Sequence, residues 1–212
     1  RVVVHSEQLE WADSPMRGVR RRPLDRVGGE VARATSIVKY EPNSKFSPHV
    51  HTGGEEFIVL DGTFQDEHGD YPKGSYIRNP PRSSHTPGSE SGCVIFVKLW
   101  QFQPDDPIQV RLNANFMQPV PSRHQSGVEV IPLYKDEFEE VSIECWDANV
   151  EIESLCDDGA EFLVLEGSFK EGDDTLEKHA WLRLPVGSIF RARAGNQQTK
   201  VWVKRGHLVR VD

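Results

Sequence analysis

Gly53-Gly54-Glu55-Glu56-Phe57-Ile58-Val59-Leu60-Asp61-Gly62-Thr63-Phe64 returns later in the chain as Asp158-Gly159-Ala160-Glu161-Phe162-Leu163-Val164-Leu165-Glu166-Gly167-Ser168-Phe169. The echo continues downstream. Tyr76-Ile77-Arg78-Asn79-Pro80 answers to Trp181-Leu182-Arg183-Leu184-Pro185, and Ser83 to Ser188. After a shift of one residue, Phe96-Val97-Lys98 answers to Trp202-Val203-Lys204. A self-match of this length at an offset near 105 residues means two copies of one domain. Within each copy, short runs of β-branched and aromatic residues alternate with Gly, Pro, Asn and Asp, and helical periodicity is hard to find. That pattern predicts an all-β sandwich or barrel. In the first copy, strands are expected over Ala34 to Tyr40, Glu56 to Leu60, Thr63 to Glu67, Ser75 to Arg78 and Cys93 to Trp100.

The stretch from Gln103 to Gly127 carries Pro104, Pro107, Pro119 and Pro121 and reads as a connector. It is long for a linker, so a part such as Ile108 to Leu112 is a candidate strand added to one barrel. The expected layout is a first domain over 1–103, a connector over 104–127 and a second domain over 128–212.

At 212 residues the chain holds one large or two small domains. A net charge of -8 and a pI near 5.5 argue against nucleic acid or an anionic membrane as partner, since both want a basic face. The Arg20-Arg21-Arg22 cluster, followed by Pro23, is expected to be a solvated loop. No stretch approaches the roughly 18 apolar residues of a membrane span, and no signal-peptide pattern is present. Cys93, Cys145 and Cys156 are widely spaced and form no CxxC. They suggest no disulfide framework, so a cytoplasmic location is expected.

Chemistry concentrates in the first copy. His49-Val50-His51, then Glu55, then His85 supply three imidazoles and a carboxylate, a full ligand set for one divalent transition metal. Residues two apart on a strand leave the same face, which joins His49 to His51. Strand parity places Glu55 with Phe57 and Val59, and Glu56 with Ile58 and Leu60. The repeat favours Glu55 as the ligand, because its position becomes Ala160 while that of Glu56 stays Glu161. His49 aligns with Ser154 or Leu155, His51 with Cys156 or Asp157, and His85 with Phe190. A carboxylate inside a barrel without its ion costs several kcal/mol. Loss of all four ligands together therefore predicts a metal-free second copy. Four protein ligands suit a closed tetrahedral zinc site. Fe(II), Mn or Ni would take more ligands and leave positions open. His5, His68, His124, His179 and His207 lack metal spacing. Cys93 is expected in the core, and Tyr71, Tyr76 and Trp100 in the core or a pocket wall. No catalytic residue is identified.

The spacing His49-x-His51-xxx-Glu55-xxxxxx-Gly62 resembles the first cupin motif, and Gly74-xxxxx-Pro80 through His85 resembles the second. Three positions depart from the usual pattern: Asn43 and Arg82 replace glycines, and Ser89 replaces an asparagine. More narrowly, Gly53 to Pro81, Ser83-Ser84-His85 and Ser91 to Phe102 resemble the cupin domain of the ChrR anti-sigma factor family, a likeness strong over Lys39 to Phe102. The resemblance implies two tandem RmlC-like jelly-roll barrels, a bicupin. It also implies zinc held by His49, His51, Glu55 and His85, and a regulatory role in oxidative stress with a sigma factor or another regulatory protein as partner. A homodimer is a further expected association. ChrR proteins carry a helical sigma-binding domain with a His-xxx-Cys-xx-Cys pattern. The first 33 residues here hold only His5 and no cysteine, so that domain has no counterpart in this sequence. Related cupins include dioxygenases that cleave diketones or aromatic ketones, which gives the alternative of a metal-dependent oxygenase.

Overall fold

The computed structural model describes residues 1–29 and 31–209. Among these the regular structure is β, apart from two single turns of 3-10 helix at Ser6–Gln8 and Ala114–Phe116. The chain divides into two compact units, Leu9–Phe116 and Arg1–Gln8 with Met117–Asp212. Each is a jelly-roll barrel.

The N-terminal unit is built on a run of seven antiparallel strands in the order Val110–Asn113, Ser75–Asn79, Glu55–Asp66, Cys93–Leu99, Ala32–Tyr40, Val19–Gly28 and Ala12–Asp13. The C-terminal unit repeats that order with Val2–His5, Ala180–Leu184, Ala160–Glu166, Thr199–Arg205, Glu140–Trp146, Val128–Lys135 and Val120–Pro121. A second, shorter layer closes each barrel. In the C-terminal unit it is the four-stranded sheet of Glu151–Cys156, Ser188–Ala194, Phe169–Glu171 and Asp174–Leu176. In the N-terminal unit the pair His49–Val50 and Ser84–His85 does this. The far half of Glu55–Asp66 helps by pairing with Gly69–Pro72. Glu55–Asp66 runs unbroken through the Gly62 at which two strands were expected. A register shift opposite Val94 and Ile95 and a φ of 68° at Gly62 bend it from one layer into the other.

Two features depart from the layout read on the sequence. Val2–His5 pairs with Ala180–Leu184, so the first residues belong to the C-terminal unit and not to a domain over 1–103. Val110–Asn113 fills the equivalent place beside Ser75–Asn79 in the N-terminal unit. The segment read as a connector over 104–127 therefore holds the opening strand of the second repeat, and each unit takes its edge strand from the other repeat. Arg20-Arg21-Arg22 lies on the strand Val19–Gly28 and not in a loop. Arg22 is buried with its guanidinium 4.4 Å from the Trp11 ring centroid, and Arg21 donates to the Ser14 hydroxyl at 2.7 Å.

Parity over 55–60 follows the sequence reading, and the register shift before Gly62 reverses it beyond. Phe57, Val59 and Phe64 join Val38, Ile77, Cys93, Ile95 and Val97 in the apolar interior of the N-terminal barrel. The opposite face is also buried: Ile58 is 2% exposed and Glu56 1%. Glu56 accepts a hydrogen bond from the Tyr76 hydroxyl at 2.6 Å. In the C-terminal barrel Phe162, Val164, Phe169 and Phe190 form the interior with Trp146 and Ala160.

Candidate metal centre

Local backbone constraints bring the four expected ligands together. Gly53 and Gly54 turn the chain into the strand that starts at Glu55. A Cβ at Gly53 would fall 2.2 Å from the Trp100 ring, and Gly54 has φ of 78° against the Phe102 ring. Only glycine meets both demands. Asn43 and Arg82, the two residues standing where the cupin motifs carry glycine, have φ of 62° and 74°. The left-handed backbone of those positions is kept although the glycine is not. Arg82 then donates its N–H to the His51 carbonyl at 2.8 Å, while the His51 N–H donates to Ser83 at 2.9 Å. His85 faces His49 directly in the antiparallel pair.

His49, His51 and His85 gather into one cluster whose ligand atoms all lie within 4.8 Å of each other. The Nε2 atoms of His51 and His49 are 3.2 Å apart. Glu55 Oε2 lies 3.5 Å from His51 Nε2 and 3.5 Å from His85 Nε2. His51, Glu55 and His85 are buried, and His49 is exposed, so the cluster is roofed by the barrel on one side and open on the other.

The far ring nitrogen of each histidine has a polar partner. His49 Nδ1 lies 3.4 Å from the Ser47 carbonyl, which only accepts. His51 Nδ1 lies 3.2 Å from Ser83 Oγ, whose own proton goes to the Pro80 carbonyl at 2.6 Å. His85 Nδ1 lies 3.4 Å from Asp66 Oδ2. These partners suit a proton on Nδ1 of each ring, the tautomer that turns the Nε2 lone pair inward when an ion is bound there. Burial, with His85 and His49 nearby, holds His51 below the ordinary histidine range against the opposing pull of Glu55, which keeps that ring neutral. His85 Nε2 is buried with no hydrogen-bond partner. Lone pairs converging on a carboxylate repel one another unless a cation lies between them. The residues fit a divalent metal ion on these grounds.

The surroundings support the ligands. Asn79 Nδ2 donates to Glu55 Oε2 at 3.2 Å. Burial opposes the charge on Asp66. Hydrogen bonds from His85, the His68 N–H and the Tyr71 hydroxyl outweigh that opposition and hold its carboxyl below the usual range. On the sequence His68 stands out only by lacking metal spacing. Its backbone N–H nonetheless helps fix Asp66, and Asp66 was missed altogether. The signal for Asp66 lay in strand parity, because it falls on the same face as Phe64. Cys93 sits in the apolar interior, where burial pushes its thiol up to about 11 despite a bond to Ser89. Its burial among Val59, Ile95 and the other interior side chains makes it part of the packing. Tyr71 is packed into the interior, Tyr76 is fully buried, and Trp100 covers Gly53 while remaining 42% exposed.

In the C-terminal barrel the pairing of Ser154 with Phe190 matches that of His49 with His85. This register resolves the alignment: His49 corresponds to Ser154, and His51 to Cys156. Ala160 and Phe190 are fully buried, and the Phe190 ring stacks on Phe162 with centroids 4.2 Å apart. Ala160 and Phe190 put apolar side chains where Glu55 and His85 stand.

Residues 1–103 match the family described as ChrR Cupin-like domain. No curated protein sequence matches the chain. Among solved structures, a candidate dioxygenase from Nostoc punctiforme is similar with a TM-score of 0.80 at 16% identity, over 99% of this chain and 84% of that one. A cupin 2 conserved barrel domain protein from Leptotrichia buccalis is similar with a TM-score of 0.62 at 11% identity, over 97% and 96% of the two chains. A single-site variant of oxalate decarboxylase from Bacillus subtilis is similar with a TM-score of 0.66 at 9% identity, over 97% and 77%. At these identities the likeness is one of fold. Among the described residues no helix is long and apolar enough to cross a membrane.

Proposed function

We propose, from the premise that this chain belongs to the cupins through a ChrR Cupin-like domain over residues 1–103, that it is a regulatory metalloprotein holding one zinc ion at His49, His51, Glu55 and His85. The observation that carries the metal is the gathering of three imidazoles in one cluster, with His51 and His85 turning Nε2 to Glu55 at 3.5 Å. Three imidazoles and one carboxylate are a donor set that suits zinc. Bound zinc supplies a redox-inert positive charge that ties the His49–Val50 pair, the start of Glu55–Asp66 and His85 together. A change in that charge would loosen the open end of the barrel and so reach a protein partner, of the sigma-factor or similar regulatory kind, in the cytoplasm. With Cys93 buried and protonated, the sensing element is the metal site itself.

A second reading has one observation in its favour. His49 is exposed, so a small molecule can approach the ion from that side, as a dioxygenase acting on a diketone or aromatic ketone would require. One experiment separates the two. Protein purified without added metal is assayed for metal content, and its coordination number is read by X-ray absorption. Zinc with four protein donors supports the regulatory reading. Iron with five or six donors, together with dioxygen uptake on adding acetylacetone, overturns it in favour of the oxygenase.

A further inference from the structure

The C-terminal barrel has lost the metal ligands without closing the space around them. A cavity of about 670 Å³ opens in it, lined among others by Val130, Ser142, Glu144, Ile152, Ser154 and Arg205. That volume is typical of a small-molecule site. The cavity reaches Ser154, which holds the register position of His49, and Arg205, which pairs across the sheet with Ala160 in the place of Glu55.

Comparing the two barrels position by position isolates what is new there. The strand registers equate Glu144 with Val38, and Arg205 with Leu99. In the N-terminal barrel Val38 belongs to the apolar interior and Leu99 packs on it. In the C-terminal barrel those two positions carry an ion pair, Arg205 Nη1 donating to Glu144 Oε1 at 2.7 Å, with side chains 30% and 10% exposed. The other Glu144 oxygen accepts the Trp146 indole N–H at 2.8 Å. A mostly buried ion pair is seldom more stable than the apolar pair it replaces, and the neighbouring barrel shows that the apolar pair folds. Stability does not account for it. Ser154 Oγ adds a buried hydroxyl with no hydrogen-bond partner among the described residues.

The lining decides the class of ligand. Its basic groups Arg123, Lys135 and Arg205 are matched by Glu140, Glu144 and Glu153, so the cavity has no net field to favour an anion or a cation. An amino acid or other zwitterion would have to split the Arg205–Glu144 pair. A hydroxyl group donates and accepts at once, and can join that pair without breaking it. Val128, Val130, Pro132 and Ile152 give apolar wall for C–H groups. We infer that the C-terminal barrel binds a small neutral polyhydroxylated molecule, a sugar or polyol, between Glu144, Arg205 and Ser154. This site is independent of the metal assignment.

The test uses the full chain labelled with nitrogen-15. The five tryptophans give five indole signals, and Trp146→Phe identifies the one bonded to Glu144. D-glucose, D-mannose and myo-inositol are the probes, with succinate and glycine betaine as charged controls. The expected result is a saturable shift of the Trp146 signal with at least one hydroxylated probe, kept in His85→Ala. The shift should be lost in Glu144→Val/Arg205→Leu, which installs the pair that the other barrel already tolerates. Ser154→Leu, which replaces the hydroxyl by a bulkier apolar side chain and leaves the ion pair, should weaken binding at least tenfold and covers the case in which the double variant unfolds. The proposal is overturned by no shift with any hydroxylated probe, by a shift with the charged controls alone, by loss of the shift in His85→Ala, or by unchanged binding in the cavity variants.

Discussion

The two barrels share a strand order and register and differ in what those registers enclose. His49, His51, Glu55 and His85 converge in one. The same positions in the other are Ser154, Cys156, Ala160 and Phe190. The outward faces barely changed. Arg78, Glu56 and Lys98 lie side by side across three strands, as do Arg183, Glu161 and Lys204. Both rows are largely buried. The difference teaches that buried charge changes as a set or not at all. Removing one member of an ionic row strands its neighbour at a cost of about 3–5 kcal/mol, so the outer rows persisted through duplication. On the proposed assignment the inner set is held together by an ion outside the chain, so its four members can leave together.

The largest expected effect comes from restoring one member of that set alone. Ala160 is fully buried, so Ala160→Glu puts a carboxylate into an interior whose neighbouring cation, Arg205 across the sheet, is already paired with Glu144. A loss of at least about 3 kcal/mol is expected, read as a lower urea midpoint. A loss under about 1 kcal/mol would mean that the cavity beside Arg205 solvates the charge, and the contrast between the barrels would be weaker than drawn. Next comes Ile58→Asp on the retained outer face. Ile58 is 2% exposed, and a charge there should cost more than removing the metal with a chelator. Denaturation midpoints of the two preparations, side by side, decide this.

His51→Ala and His85→Ala sharpen the comparison from the other side. Each should take metal content from about one ion per chain to none and leave the Trp146 indole signal of the C-terminal barrel in place. Metal content near one in both variants would show that the ligand assignment is wrong.

Much of this contrast was legible in the sequence because the repeat sets the two barrels position against position. Alternation put Glu55 and Glu56 on opposite faces, and the repeat chose Glu55 and showed Ala160 and Phe190 standing in for ligands. The exchange of edge strands was not legible. Val2–His5 and Val110–Asn113 share little beyond an apolar pattern, and an edge strand bonded on one side only needs no particular side chains to keep its place. The proline-rich stretch around Val110 looked like a linker because prolines are tolerated beside an edge strand as readily as in a loop. The arginine run was misread for a related reason. Charged residues on an outer strand pair locally with Asp13, Ser14 and Trp11, and nothing in sequence composition separates that from solvation. The cavity was hidden because Glu144 and Arg205 are 61 residues apart and resemble ordinary surface charges until the register places them inside.

The smallest effect tests the groups behind the ligands. Asp66 is 2% exposed at its side chain and orients His85 through Nδ1. Its counterpart in the other barrel, Glu171, has kept its charge but binds the Arg1 guanidinium at 2.6 Å, since no histidine remains for it to hold. Asp66→Asn keeps the shape and removes the charge. A 10- to 100-fold loss of metal affinity is expected, about 1.4–2.8 kcal/mol, measured by competition with a chelator. The pH dependence gives the sign. The folded-state pKa of Asp66 lies below the ordinary carboxyl value, so its contribution to metal-free stability is present above the unfolded pKa and is lost as pH falls through the folded one. The stability gap between metal-free wild type and Asp66→Asn should therefore be widest near neutrality and close on acidification. A gap that stayed constant down to pH about 3 would mean that Asp66 acts by packing alone, and that the hydrogen bond to His85 does not set the ring's tautomer.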